Sequence, residues 1–269
     1  MKVVLLAGGL GSRLAEETKI KPKPMVEIGG IPIIEHIMNW YMKFNHNEFI
    51  ICLGYKGNEI INYFKDYQYK NSTVIIDSKG KIETLEKKAQ DWKITLVQTG
   101  IETQTGGRIK KIKKFLKPGE DFFMTYGDGL SDVNINHLYN FHKKNKKLAT
   151  LTAVKPLARF GALEFDNNGI INEFIEKPKN TNSWINGGFF VLSEKVTDYV
   201  KSYNESWENG AIRRLVKLKE VSAYKHNGFW QPMDTLREKN ILSEMWNNNE
   251  APWITLKNTK KVISFKEAI

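Results

Sequence analysis

The first two-thirds of the chain alternates short apolar runs, rich in β-branched and aromatic residues, with amphipathic stretches. Each apolar run ends at a glycine or a turn. Strands that alternate with helices in this way are typical of a mainly parallel sheet covered by helices. We therefore expect an α/β fold, a Rossmann-like three-layer α/β/α arrangement with a mainly parallel, mixed sheet. The expected strands are residues 3–6, 49–53, 95–97, 122–126, 150–154 and 189–192.

Three amphipathic helices are expected to pack on this core. The first begins at Pro32, because proline suits the first helical position. The second covers residues 108–117, and the third lies around residues 236–246. Their inward-facing side chains are expected to be Ile33, Ile34, Ile37, Met38 and Tyr41 in the first helix, Ile109, Ile112, Phe115 and Leu116 in the second, and Leu236, Ile241, Leu242 and Met245 in the third.

A β-hairpin is expected in the last third of the chain. Residues 161–178, GALEFDNNGIINEFIEKP, contain two alternating segments separated by Asn-Asn-Gly at 167–169. Asparagine and glycine tolerate the positive φ angles that tight hairpin turns require. The sequence therefore predicts a small β-hairpin beside the main sheet.

Charge and hydropathy exclude several classes of protein. The net charge is +11, carried by 35 lysines and only six arginines, without any nucleic-acid-binding motif. Because arginine is the usual reader of bases, we expect no nucleic-acid partner. No apolar run approaches the roughly 20 residues of a membrane helix. The first apolar run is also shorter than the roughly seven residues of an export signal. A single cysteine, Cys52, forbids an internal disulfide, and a cytoplasmic location is expected.

The first expected strand leads directly into a glycine loop, Ala7-Gly8-Gly9-Leu10-Gly11-Ser12-Arg13. Glycines allow backbone N–H groups to approach phosphate oxygens, and an arginine adds a planar fork of donors for the same anion. The loop lacks the GKS/T of a Walker loop and the third glycine of a dinucleotide fingerprint. Taken alone, it is also compatible with a purely structural turn.

The continuation of this loop makes a stronger case. Residues 6–36 read LAGGLGSRLAEETKIKPKPMVEIGGIPIIEH, and a GG-x-G-x-R loop followed by K-P-K-P-M resembles the sugar-nucleotide pyrophosphorylase family. The later runs TGGRIKKI, FMTYGDGLSDVNI, RFGALEF, EKP, WINGGFFVL and GFWQPMDTLREK are most similar to the branch of that family that transfers a cytidylyl group. The resemblance covers roughly residues 1–255.

The resemblance implies a reaction. A cytidylyl group would pass from CTP to glucose 1-phosphate with Mg²⁺ as cofactor, giving CDP-glucose and pyrophosphate for deoxysugar or surface polysaccharide synthesis. It also implies a homo-oligomer without a membrane partner. Three alternatives stay open at this point: the same chemistry with dTTP or UTP, the same chemistry with another sugar or polyol phosphate, and a non-catalytic nucleotide-binding module.

A single nucleotidyltransferase domain is expected over residues 1–255. No proline-, glycine- or serine-rich linker and no internal repeat divides it. Residues 1–130 are expected to bind mainly the nucleotide, and residues 131–255, with the hairpin and nearby helices, mainly the sugar phosphate. Residues 256–269 form a C-terminal extension beyond the resemblance.

Two basic residues are the catalytic candidates. Lys23 lies between Pro22 and Pro24, and a residue that precedes proline avoids the helical region, so Lys23 is expected to project from an extended segment. A compact ammonium held in this way suits a phosphate whose charge grows as a bond breaks. In the family the equivalent lysine contacts the triphosphate, and Arg13 is expected beside it.

Two acids are the candidate ligands for Mg²⁺. Asp128 follows the expected strand at 122–126, and ligands of open α/β sheets collect beyond the carboxyl ends of strands. Asp234 lies in the aromatic segment GFWQPMD, and two carboxylates match the oxygen preference of Mg²⁺. A competing interpretation makes Asp234 the N-cap of the helix that follows.

The remaining site residues come from the resemblance. Thr105-Gly106-Gly107-Arg108 is similar to the segment that holds base and ribose, with Arg108 on a phosphate or the base edge. The expected nucleotide-binding residues are Leu6, Ala7, Gly8, Gly9, Leu10, Gly11, Ser12, Arg13, Lys23, Thr103, Thr105, Gly107, Arg108 and Gly127. The expected sugar-phosphate-binding residues are Tyr126, Glu176, Lys177, Asn186 and Gly187. The histidines show no metal-ligand spacing, and His36, His46, His137 and His142 are expected on the surface.

Overall fold

The apolar runs of the sequence become strands whose side chains alternate between two faces. The computed structural model describes residues 1–70, 72–85, 90–156, 162–165, 170–175 and 183–255. The strands of these parts are β1 (Lys2–Leu6), β2 (Glu27–Ile28), β3 (Ile31–Pro32), β4 (Glu48–Leu53), β5 (Val74–Ile76), β6 (Ile82–Thr84), β7 (Lys93–Gln98), β8 (Asp121–Tyr126), β9 (Gly129–Ser131), β10 (Ala149–Val154), β11 (Ala162–Phe165), β12 (Ile171–Ile175), β13 (Ile185–Ser193), β14 (Val221–His226) and β15 (Trp230–Pro232).

Helices connect the strands. The longer ones carry apolar side chains at helical spacing, and short 3₁₀ turns occupy several of the connections. The α-helices of the described residues are α1 (Ala15–Thr18), α2 (Ile33–Met42), α3 (Gly57–Lys65), α4 (Tyr67–Lys70), α5 (Thr105–Lys111), α6 (Ile135–Asn145), α7 (Ala211–Lys217) and α8 (Leu236–Asn247).

Seven of these strands form the central sheet in the order β14-β10-β13-β8-β1-β4-β7. All neighbouring pairs are parallel except those made by β13, which runs antiparallel to β10 and β8. The prediction of a mainly parallel, mixed sheet is therefore confirmed. Each of the six expected strands lies within an observed strand, and the last of them is extended at both ends in β13.

Side chains from the two faces of the sheet enter two separate hydrophobic clusters. On β1, Val3 and Leu5 enter one cluster, which includes the apolar face of α2. Val4 and Leu6 enter the other, which includes Ile109 of α5 and Leu215 of α7. Helices thus cover both faces of the sheet, as a three-layer α/β/α fold requires.

The predicted helices are largely confirmed, with two corrections. α2 begins directly after Pro32 and buries its five expected apolar residues. The second helix begins earlier than expected, at Thr105, and ends at Lys111. A 3₁₀ turn follows it, so Ile112 and Leu116 are still buried while Phe115 is half-buried.

The inward face of α8 was predicted partly wrongly. Leu236 is 41% exposed, whereas Leu242 and Trp246 are buried. The physical reason is the capping box, in which Thr235 and Glu238 exchange hydrogen bonds at the start of the helix. Glu238 therefore turns inward on the first turn, and Leu236 is left facing outward.

The expected surface location is wrong for two histidines. His36 and His142 are both buried. His36 Nε2 donates to the carbonyl of Ile28 at 2.9 Å, and the indole of Trp253 donates to His36 Nδ1 at 3.2 Å. Both ring nitrogens of His36 therefore have partners inside the core.

The predicted hairpin is present as the antiparallel pair β11–β12. Its expected turn at 167–169, like the extension at 256–269, lies outside the described residues.

The order of the sheet positions the candidate site. β1, β4, β7 and β8 run parallel, so their carboxyl ends lie along one edge of the sheet. Leu6 at the end of β1 pairs with Cys52 on one side and Tyr126 on the other. The loops that follow these strands consequently meet at one place, where ligands of open α/β sheets bind.

Candidate active site

The glycine loop after β1 turns sharply at Gly11. Gly11 has a φ of 66°, in the left-handed region that disfavours other residues. A Cβ at this position would also lie 2.8 Å from Cγ2 of Thr18. The Thr18 hydroxyl holds the turn by donating to the carbonyl of Gly11 at 3.1 Å. The loop thus follows a tight path that a side chain on Gly11 would block.

The side chain of Arg108 holds the backbone of this loop through hydrogen bonds. Its guanidinium donates to the carbonyls of Gly8 at 2.9 Å, Leu53 at 3.0 Å and Gly100 at 2.9 Å, and to the hydroxyl of Thr99. Sequence reasoning directed Arg108 towards a phosphate or the base edge. In the structure, its donors join the loops that follow β1, β4 and β7 to one another.

Lys23 lies in the segment between α1 and β2. The extended conformation expected at Lys23 stops at Pro22, because Lys23 itself opens a 3₁₀ turn over Lys23–Met25. The N–H of Met25 donates to the carbonyl of Pro22 at 2.8 Å and closes that turn. The Lys23 side chain is 9% exposed, so its charge is largely removed from water.

Two carboxylates converge on the Lys23 ammonium. Its Nζ lies 2.7 Å from Oδ2 of Asp128 and 2.5 Å from Oδ1 of Asp234. Burial by itself lowers the pKa of Lys23, but the charges and hydrogen bonds of the two carboxylates outweigh it and hold that pKa above its ordinary value. Arg13 adds a second cation, with Nη1 2.7 Å from Oδ2 of Asp234.

A short β-ladder brings the two acids together. β9, which follows Asp128, pairs antiparallel with β15, which precedes Asp234, and Gly129 lies opposite Pro232. The N–H of Met233 donates to the carbonyl of Asp128 at 2.8 Å. The competing interpretation of Asp234 as an N-cap is wrong, because the hydroxyl of Thr235 caps α8. The Asp234 carboxylate is thus available to the cations of the site.

An open cleft of about 420 Å³ lies over these groups. All expected nucleotide-binding residues except Gly107 line it, together with Tyr126 and Asp128. A Cβ on Gly107 would lie 2.0 Å from the carbonyl oxygen of Tyr203, and one on Gly106 would lie 2.7 Å from that of Glu205. These two glycines therefore allow close packing of α5 against the backbone before α7.

Sequence reasoning missed four residues that line the cleft: Pro24, Ile101, Glu102 and Gln104. The last three belong to the loop between β7 and α5. A signal was available, since this loop follows the carboxyl end of an expected strand, as the glycine loop and Asp128 do.

The expected sugar side of the site is only partly described. The hydroxyl of Tyr126 donates to a carboxylate oxygen of Glu208. Asn186 Nδ2 lies 3.4 Å from Tyr126 Oη, and the indole of Trp230 donates to the carbonyl of Gly187 at 2.7 Å. The structure therefore brings Tyr126, Asn186 and Gly187 together, whereas Glu176 and Lys177 lie outside the described residues.

The threonines after β7 point inward. Thr103 donates to the carbonyl of Thr99 at 2.6 Å, and Thr105 donates to Glu208 at 2.7 Å. Both hydroxyl protons are thus used within the protein, and each oxygen also accepts a hydrogen bond, from Lys111 and from the N–H of Trp207 respectively.

Within the described parts of the chain, no cluster of three or more His, Cys, Asp or Glu side chains has the arrangement of a metal site. The same parts contain no helix with the length and hydropathy of a membrane span.

Comparison with known proteins identifies what this chain resembles. The family model for nucleotidyl transferases matches residues 2–232. A glucose-1-phosphate cytidylyltransferase from Salmonella typhimurium is 47% identical over 256 residues, which cover 95% of this chain and 99% of that protein. The crystal structure of HddC from Yersinia pseudotuberculosis has a TM-score of 0.65 at 23% identity, covering 91% of this chain and 99% of that one. A UDP-glucose pyrophosphorylase complexed with UDP-glucose has a TM-score of 0.65 at 17% identity, covering 92% and 98%.

Proposed function

The chain belongs to the nucleotidyl transferase family, and we propose that it transfers a cytidylyl group from CTP to glucose 1-phosphate, giving CDP-glucose and pyrophosphate. The observation that carries this proposal is the convergence of Lys23, Asp128 and Asp234 beside the glycine loop. The 47% identity to a glucose-1-phosphate cytidylyltransferase over nearly the whole of both chains supports the choice of substrates.

The proposed reaction needs no general base. The phosphate of a sugar 1-phosphate is already an anionic nucleophile near neutral pH. One of its oxygens forms a bond to the α-phosphorus of CTP while the bond from that phosphorus to the β-phosphate oxygen breaks, and pyrophosphate leaves with the electron pair. Catalysis then consists of positioning and charge neutralisation, as in other phosphoryl transfers.

The basic residues of the cleft provide that neutralisation. Arg13 is 71% exposed at the cleft, so its guanidinium can turn from Asp234 to an arriving phosphate. Lys23 is fixed by the 3₁₀ turn and supplies a buried charge, which acts more strongly than an exposed one. The N–H groups of the glycine loop hold the β- and γ-phosphates, and Lys177 aligns the attacking phosphate.

Asp128 and Asp234 have the donor chemistry for a divalent cation. Both offer hard carboxylate oxygens to one point, and the Asp128 side chain is 30% exposed, which leaves a path from solvent. Mg²⁺ bound there would neutralise charge on the triphosphate. The two carboxylates surround the Lys23 ammonium, and this arrangement supports the proposal of a site for positive charge.

We also propose a division of labour and an assembly. Residues 1–130 bind mainly the nucleotide and residues 131–255 mainly the sugar phosphate, within a single domain of residues 1–255. The hairpin β5–β6 leaves Ile75, Ile76 and Ile82 at least 44% exposed, and such an apolar patch favours contact with a second copy of the chain. Light scattering measures whether the chain forms that homo-oligomer.

A pyrophosphate-release assay tests the proposed function. CTP, dTTP, UTP and ATP are each combined with a panel of sugar 1-phosphates in the presence of Mg²⁺. The proposal expects CTP with glucose 1-phosphate to give the highest kcat/KM. A faster reaction with dTTP or UTP, or with another sugar or polyol phosphate, would keep the family and overturn the cytidylyl assignment. No release with any pair would favour a non-catalytic nucleotide-binding module.

A further inference from the structure

A series of hydrogen bonds beside the cleft is centred on Glu208. This residue lies in the loop before α7 and contacts two residues that line the cleft. Its carboxylate accepts hydrogen bonds from the hydroxyls of Tyr126 and Thr105, the second at 2.7 Å. Tyr126 ends β8 and Thr105 begins α5. One carboxylate therefore connects the end of a core strand to the beginning of a helix on the nucleotide side.

The groups at the two ends of this hydrogen-bond series determine which atom donates in each bond. A carboxylate only accepts, so the hydroxyls of Tyr126 and Thr105 both turn their protons towards Glu208. At the far end, the N–H of Gly188 donates to Oδ1 of Asn186 at 3.0 Å, which fixes the orientation of that amide. Asn186 Nδ2 then donates to Tyr126 Oη at 3.4 Å. Tyr126 Oη consequently has no proton left to offer a ligand, and because Asn186 Nδ2 uses one of its lone pairs, the other is the one that can accept from a ligand.

We propose that Glu208 is a positioning residue for the acceptor substrate: it holds the Tyr126 proton, so that Tyr126 Oη accepts a hydrogen bond from a hydroxyl of the sugar 1-phosphate. This rests on the proposed function, which supplies the sugar. The Trp207 N–H, which donates to Thr105 Oγ1 at 2.8 Å, fixes the neighbouring backbone and with it the position of Glu208. Burial and the adjacent Glu208 charge raise the pKa of Tyr126, so the hydroxyl stays protonated throughout the usual assay range.

The variant Glu208→Gln tests the direction of these hydrogen bonds. An amide can donate as well as accept, so the Tyr126 proton is free to turn towards the cleft. We expect KM for glucose 1-phosphate to rise about 10-fold, the size of one hydrogen bond, while KM for CTP changes by less than about two-fold. Deoxy analogues of glucose 1-phosphate identify the hydroxyl. The wild type should lose about 10-fold in kcat/KM with one analogue, and Glu208→Gln should lose little further with that analogue.

Glu205 provides the matched control. It lies in the same loop, but its carboxylate pairs with Arg214 and accepts the N–H of Lys201 at 3.0 Å. Glu205→Gln removes the same charge without touching Tyr126 or Thr105. We expect it to lower the melting temperature while both KM values stay close to those of the wild type.

Tyr126→Phe gives an independent test if Glu208→Gln does not fold. It removes the accepting oxygen itself and should lose discrimination against the same deoxy analogue. An acceptor KM within about two-fold of the wild type in either variant would overturn the proposal. So would equal increases in both KM values in Glu208→Gln.

Failure of the proposed function can be distinguished from failure of the positioning role. If the wild type transferred no cytidylyl group to glucose 1-phosphate, that function would be wrong. Calorimetric titration of glucose 1-phosphate itself would then compare wild type with Glu208→Gln. Weaker binding by the variant supports the positioning role, and equal binding overturns it.

Discussion

The ammonium of Lys23 lies 2.7 Å from a carboxylate oxygen of Asp128, although 105 positions separate the two residues in the chain. The same nitrogen contacts Asp234, 211 positions away. One buried cation therefore joins a strand end, a 3₁₀ turn and the segment before α8. It also separates two carboxylates that would otherwise repel each other. The charge balance of the cleft depends on this contact.

Lys23→Ala should lower kcat on the order of 10²-fold or more, the scale of losing one preorganised charge donor. Lys21 is the matched control, because it lies two residues earlier in the same segment and pairs at the surface with Glu27. Steady-state kinetics of Lys21→Ala should resemble the wild type. A folded Lys23→Ala variant with near-normal kcat would contradict the proposed role of this lysine.

Asp128→Asn and Asp234→Asn should each raise the Mg²⁺ concentration needed for half-activity and lower kcat. The double variant should lose much less than the product of the single losses, because residues that act as a unit are not additive. Calorimetry that measures the binding of Mn²⁺ in the presence of CTP gives a second readout, which does not depend on activity.

Asp132→Asn is the control for this pair, since Asp132 faces His226 at 2.9 Å instead of Lys23. It should leave the Mg²⁺ requirement unchanged. If the two site variants kept the wild-type Mg²⁺ requirement, the proposed metal role of these acids would be wrong.

Gly8→Ala should destabilise the protein by about 1–3 kcal/mol, because a new methyl group would overlap the buried guanidinium of Arg108. The added Cβ would lie 2.2 Å from Nη1 of Arg108, whereas a Cβ on the neighbouring Gly9 meets nothing within 4 Å. Thermal melts should therefore separate Gly8→Ala from Gly9→Ala. Equal melting temperatures for the two variants would show that Arg108 does not hold the loop as described.

His36 should make folding stability fall in mild acid. Burial lowers the pKa of His36 from 6.5 to about 4, so the folded state keeps the neutral ring where the unfolded state is already protonated. The neutral His36 therefore contributes its full share of the free energy of unfolding above pH 6.5. This contribution is lost as the pH falls towards 4, and the total loss is about 3 kcal/mol. Urea denaturation across this range should show a smaller acid loss for His36→Gln than for the wild type.

The exposed His137 on α6 supplies the control. His137→Gln should keep the wild-type dependence of unfolding free energy on pH. If His36→Gln lost stability in acid as steeply as the wild type and His137→Gln, the acid-dependent loss could not be assigned to His36.

The layers of the fold could be predicted because their signals are local. Strands such as β4 and β8 are short apolar runs bounded by turns, and α2 shows its apolar face within one window of sequence. The order of motifs also identified the loops that line the cleft. These features depend on neighbouring residues, which the sequence displays directly.

Features that depend on distant contacts could not be predicted. One example is the set of contacts of Arg108, whose guanidinium donates to the carbonyls of Leu53 and Gly8, 55 and 100 positions away. His36 was expected on the surface, but Trp253, 217 positions away, covers it. The placement of Lys23 between two acids likewise follows from the pairing of β9 with β15. None of these partners can be identified from local patterns.

Cytidylyl transfer is tested most directly by the initial rate of pyrophosphate release from CTP and glucose 1-phosphate with Mg²⁺, measured beside dTTP, UTP and ATP at subsaturating concentration. CTP should give the highest kcat/KM, CDP-glucose should accumulate in equal amount with pyrophosphate, and chelation of Mg²⁺ should stop the reaction. A higher kcat/KM with dTTP, UTP or ATP would show that the enzyme does not prefer CTP and would overturn the proposed function.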